Sequence, residues 1–152
     1  MSTATAKIVL GPQDDGRRMS LADFENAEGA PGYQYELSRG VVTVMEVPNP
    51  RHELQIDAIR DQLSAYKRAH PGRIYLVAGG SGCKVLLQAL QSERHPDIGI
   101  YKHPPDDPDA RAEDLWSTWL PDIVIEVVSP GSSEQRDYGE KREEYLRFGV
   151  RE

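Results

Sequence analysis

The sequence predicts a mixed α/β (α+β) domain in which a central mixed β-sheet is flanked by helices. Three features predict it. Short runs rich in β-branched residues, bounded by Gly and Pro, recur between residues 33 and 128. Two longer stretches carry apolar residues at helical spacing. Strand-like and helix-like stretches alternate along the chain. With 152 residues the chain points to one domain that can bury a real core.

Residues 1–18 read as a flexible N-terminal arm, small and polar, with Gly11-Pro12 and Asp14-Asp15-Gly16 as breakers. The folded domain is expected over 19–152. Ser20 can cap a short helix through Leu21, Ala22 and Phe24, ended by Gly29 and Pro31. Residues 33–37 and 41–47 predict two strands around a Ser38-Arg39-Gly40 turn, and Pro48 and Pro50 stop the second. A helix is predicted over 52–69, with Ile56, Ile59, Leu63 and Tyr66 on one face. Lys67, Arg68 and His70 lie at its end, where cations complement the helix dipole. Further strands are predicted over 74–78, 84–90 and 97–101. A Pro- and Asp-rich loop covers 103–114, and the Leu115, Trp116 and Trp119 segment packs on the core. Residues 121–128 give the clearest strand, and a last helix runs over 133–148.

No apolar run approaches the roughly 20 residues of a membrane helix, and the first ten residues do not resemble a secretory signal. Cys83 is the single cysteine, so no internal disulfide forms and a cytoplasmic location is expected. The net charge of −7 counts against a large nucleic-acid surface. Cations bound by clustered carboxylates would offset part of it.

Several local motifs fail. Gly79-Gly80-Ser81-Gly82-Cys83-Lys84 lacks the Gly before Lys and the hydroxyl residue after it that a phosphate loop needs, so a tight turn is expected. Ser81 lacks the spacing of a nucleophile elbow. His52, His70, His95 and His103 show no zinc spacing and are assigned to no metal.

The residues that can carry chemistry are acids on strands. In Ile123-Val124-Ile125-Glu126-Val127-Val128, five β-branched residues surround one glutamate, the pattern of a buried central strand. A carboxylate there is costly unless paired, hydrogen-bonded or bound to metal. The alternatives are a solvent-facing Glu126 or an ion pair. Asp97 opens the strand Ile98-Gly99-Ile100-Tyr101, and on an adjacent strand it would form half of a hard-cation site with Glu126. Mg²⁺ commonly takes one or two protein carboxylates. Lys141 falls on a face with Tyr138, Tyr145 and Phe148. It either pairs with Asp137 on the surface or points back at the carboxylates. Glu36 alternates with Tyr35 and Leu37, which alone would face it to solvent.

In this order the pieces resemble the Uma2 family, a restriction-endonuclease-like branch of the PD-(D/E)XK nuclease superfamily. The resemblance runs from about Met19 to Glu152. It rests on Tyr35-Glu36-Leu37 with Gly40, Pro50-Arg51-His52, and Pro96-Asp97-Ile98. It continues with Pro121 to Pro130, then Asp137, Lys141, Tyr145 and Gly149-Val150. It implies a restriction-endonuclease-like core, Asp97 and Glu126 as metal-binding acids, and Glu36 as an accessory acid. The superfamily lysine two residues after the second acid is here Val128, and the resemblance moves that role to Lys141. Similar sequences continue past residue 152 into another strand, so the last C-terminal strand is expected to be missing.

The implied function is Mg²⁺- or Mn²⁺-dependent endonucleolytic hydrolysis of DNA phosphodiesters, with catalytic Asp97, Glu126, Lys141 and Glu36. A homodimer would set two sites on opposite strands. The alternative is a catalytically impaired nuclease-fold module that binds nucleic acid or a protein partner. A purely structural Glu126–Lys141 ion pair is the third possibility.

Overall fold

The computed structural model describes residues 7–128 and 136–151, with backbone only for 136–138. Its elements follow the predicted mixture of strands and helices, and the α+β class holds. The strands, however, divide among three sheets where the sequence predicts one central mixed sheet. Periodicity marks a strand but does not name its partner.

The chain forms two compact units, Met1–Val47 with Leu86–Arg94, and Pro48–Val85 with His95–Glu152. The return of the chain through the first unit has no linker composition, so nothing in the sequence marks it.

In the first unit, β1 (Val9–Leu10) pairs in parallel with β2 (Glu28–Gly29). Leu10 is buried. The carboxylate of Asp14 accepts from the Gly11 amide at 2.8 Å and from the Arg17 guanidinium at 2.9 Å. Those donors hold its pKa below the ordinary aspartate value. Val42 N–H donates to the Arg17 carbonyl, and Arg18 bridges to Val41. The described part of the expected loose arm is therefore built into the fold. Ser20 caps α1 (Leu21–Glu25) by accepting from the Asp23 amide. β3 (Tyr33–Ser38) and β4 (Val41–Glu46) form an antiparallel hairpin. Arg39 and Gly40 both adopt positive φ, 50° and 76°, as a two-residue hairpin turn of this twist demands.

The segment after residue 84 departs from expectation. A single strand over 84–90 is replaced by β6 (Val85–Leu87), a 3₁₀ turn, and β7 (Ser92–Arg94). Gln91 in the left-handed region ends the turn. The sheet order is β4-β3-β7-β6. Leu37 lies opposite Glu93, which sets Glu36 opposite Arg94. Glu36 is accordingly buried, not solvent-facing, and its carboxylate meets Arg94 at 3.1 Å. Arg94 also donates to the Ser38 hydroxyl.

The second unit is a layer of helix on sheet. Asn49 caps α2 (Pro50–Ala69) by accepting from the Arg51 and His52 amides. The sheet has order β5-β8-β9, from β5 (Leu76–Ala78), β8 (Ile98–Tyr101) and β9 (Ile123–Ile125), antiparallel throughout. Ile56 joins Ile74, Ile98 and Ile100 in the core. Ile59, Leu63, Val77, Ile123, Ile125 and Val127 pack around them. Burying such a side chain contributes about 1.5–3 kcal/mol. Of the predicted helical face only Tyr66 stays out, half exposed against the His70 ring.

The central strand is β8, fully buried. β9 is half-buried and stands last in the sheet order, which corrects the expectation of a central strand at 121–128. Its apolar residues face two ways because both of its faces are covered. Ile123 and Ile125 meet α2, while Val124 lies against Tyr145 and Val150 around a small cavity. α3 (Ala112–Thr118) follows the acidic loop, and Trp119 stacks near Tyr101. The last helix starts as a π-helical turn, Arg136–Lys141, and continues as α4 (Arg142–Arg147). Residues 133–135 of that predicted helix lie outside the described residues, as do Ser129 and Pro130 before it and the side chains of Asp137 and Tyr138.

Candidate active site

The strand register brings the two acids to neighbouring strand ends. Ile98, the first residue of β8, pairs with Ile125, the last of β9, so Asp97 and Glu126 adjoin the same end of the ladder. Ile98 and Ile125 themselves turn to the core that Ile56 of α2 joins.

Asp97 is fixed from several sides. Its Oδ2 accepts from the Val127 amide at 2.7 Å, one residue beyond Glu126. Its Oδ1 lies 3.2 Å from Nε2 of His52, in the first turn of α2. The Arg60 guanidinium reaches its carbonyl at 3.5 Å. The Gly80 amide donates to the Pro96 carbonyl. Gly79 allows this approach: a Cβ there would stand 1.9 Å from the Asp97 carbonyl oxygen. The glycine run that imitates a phosphate loop is thus a 3₁₀ turn, Gly80–Gly82, beside the acid.

Glu126 is held from the last helix. Its Oε1 lies 3.4 Å from Nζ of Lys141 and accepts from the Tyr145 hydroxyl at 2.9 Å. Lys141 is 4% exposed. Of the two alternatives for that lysine, the structure gives the inward one. Tyr145 follows it by one helical turn, so both side chains descend on the same carboxylate.

Beneath the acids, Cys83 is fully buried with its Sγ 3.4 Å from the Tyr101 hydroxyl. Burial pushes the thiol above its ordinary pKa of 9.0. The Tyr101 hydrogen bond opposes that shift and the charge of Glu126 adds to it. Burial raises the Tyr101 phenol as well.

The structure therefore gathers Asp97, Glu126 and Lys141 in the second unit. Glu36 belongs to the first, engaged with Arg94. His52, Tyr145 and Arg60 also touch the site, and residue type alone marks none of them. A single histidine carries no ligand spacing. The place of His52 in the first turn of a capped helix is the signal that could have found it.

Hard carboxylate oxygens from two adjacent strands suit a Mg²⁺-class ion, which needs only one or two protein carboxylates. Among the described residues no group of three or more His, Cys, Asp or Glu is arranged to hold a metal. By donor type Asp97 and Glu126 fit such an ion, with water and phosphate oxygens completing it.

The chain matches a family model described as "Uma2: Putative restriction endonuclease" over residues 21–152. No curated protein matches it.

Proposed function

The chain belongs to the Uma2 family, and on that premise we propose that it is a divalent-metal-dependent endonuclease that hydrolyses DNA phosphodiesters. The observation that carries this reading is that Asp97 and Glu126 directly adjoin the paired residues Ile98 and Ile125, with the Val127 amide donating to Asp97 and Lys141 at 3.4 Å from Glu126.

Asp97 and Glu126 would hold the ion, Mg²⁺ or Mn²⁺. Bound there, it supplies Lewis acidity toward a phosphoryl oxygen. The Tyr145 hydroxyl fixes the orientation of Glu126, and the Val127 amide fixes that of Asp97. Lys141 is a buried cation beside the acids, placed to offset phosphate charge or orient an attacking water. The Glu36 carboxylate is satisfied by Arg94, so no step is assigned to it. A two-fold homodimer would cut both strands of a duplex.

The test is nicking of supercoiled plasmid with Mg²⁺ or Mn²⁺. Alanine at Asp97 or Glu126 is expected to cost about 100-fold or more in rate. Nicking by both variants at the parent rate would remove the proposal.

The Glu126–Lys141–Tyr145 contact also favours a second reading. As a structural ion pair it would belong to a catalytically impaired module that binds nucleic acid or a protein. Glu126→Gln would then remove the counter-charge of the buried Lys141 ammonium and lower the melting temperature, whether or not Mg²⁺ is present. A parent chain that binds DNA without nicking it would select this reading.

A further inference from the structure

A second cavity, of about 580 Å³, opens in the same unit at the end of α2 far from His52. Leu63 of α2, Ile100 of β8 and Ile123 of β9 form its apolar wall. Arg73, Lys102 and His103 line it as well, and among the described residues no Asp or Glu does. This occurs in a chain of net charge −7, so composition alone would not produce it.

The cations converge for a topological reason. Arg73 precedes β5 and Lys102 follows β8, and the antiparallel register Leu76 with Tyr101 brings those two ends together. The neighbouring acid, Asp122, already accepts the Lys102 backbone amide at 2.8 Å. Lys67, at the end of α2, donates to the Tyr75 carbonyl. Tyr66, 49% exposed, adds an aromatic face to the cavity.

We propose that this cavity is a second nucleic-acid contact that takes one nucleotide of a strand. The phosphate lies between Arg73 and Lys102, and the base rests on the apolar wall beside Tyr66. Arg offers a planar fork and Lys a point charge, both suited to phosphate oxygens. Aromatic and apolar faces accept any base. The volume falls in the range of small-molecule sites.

The spacing from the acids rests on the cleavage reading above; the contact itself does not. Tyr66 follows His52 by fourteen positions on one helix, a span of about 21 Å. At the duplex rise of about 3.4 Å per nucleotide, about six nucleotides of a stacked strand separate cavity and carboxylates, and fewer of an extended one.

The experiment is fluorescence anisotropy on the whole chain without metal, using labelled single-stranded oligonucleotides of increasing length. The parent should bind these strands with an affinity that falls as salt rises. Arg73→Ala with Lys102→Ala should bind about 10-fold or more weakly, and its log-affinity against log-salt slope should fall by about 1.4. Arg73→Lys alone should keep most of that slope. If the double variant melts early, Lys102→Gln with His103→Gln replaces it. Unchanged affinity and slope would overturn the contact, even if the parent nicks plasmid and the carboxylate reading survives. Weakened binding by the variant in a chain that does not nick supports the contact and removes only the cleavage reading. Binding of free deoxyadenosine monophosphate but of no oligonucleotide, or of neither, also overturns it.

Discussion

Glu126 and Cys83 show how a half-buried charge acts on a buried thiol. The thiol is fully buried within reach of the Glu126 charge. Both Cys83 and Tyr101 have folded pKa values above their ordinary 9.0 and 10.0. The unfolded chain therefore loses those protons first as pH rises, and stability falls with increasing pH. This contribution is intact below pH 9.0 and is lost as pH climbs through 9.0 and 10.0 toward the folded values. Cys83→Ala removes one of the two groups. Its melting temperature should decline less steeply than the parent's across that window, whatever its absolute value. Parallel slopes in thermal melts against pH would show that the thiol does not contribute.

At the scale of elements, the site depends on one close approach. The turn after β5 presses against the carbonyl of Asp97, and only a residue without Cβ permits it. Gly79 has an extended backbone, so space and not φ is what it provides. Gly79→Ala should cost about 1–3 kcal/mol through displaced backbone, and shift Asp97 relative to Val127. Gly82→Ala is the matched control, because an added methyl there would meet nothing within 4 Å. Chemical denaturation should separate the two variants, and nicking should fall only for Gly79→Ala. Equal stability of both would show that the turn yields freely. The same scale explains Glu36. Alternation places it on the face opposite Leu37, but which strand pairs beside it in the sheet is not legible in the sequence. β7, which follows Glu36 by more than fifty residues, supplies Arg94.

For the molecule as a whole, a resident ion acts through mass action. A ligand at 100 times its Kd adds about 2.7 kcal/mol to the folded state. Saturating Mg²⁺ should raise the melting temperature of the parent, and Asp97→Ala should abolish the increase. A parent insensitive to Mg²⁺ and Mn²⁺ would favour the structural ion pair. Among the described residues no helix is long and apolar enough to cross a membrane, in keeping with the absence of long apolar runs.

The sequence by itself determined the mixed class, the hairpin with its turn, the Ser20-capped helix, the long helix α2 and the family. These rest on local terms: spacing of apolar residues, φ > 0 at a turn, a side chain able to accept from its own helix. It also marked Asp97, Glu126 and Lys141, because a charged group within an apolar pattern is costly and therefore conspicuous. Tertiary structure alone decided the division into three sheets, the half-buried place of β9, and the Glu36–Arg94 pair. It alone turned His52 and Tyr145 toward the acids. Each of these depends on which distant segment arrives as a neighbour, and the chain's local preferences carry no term for that choice.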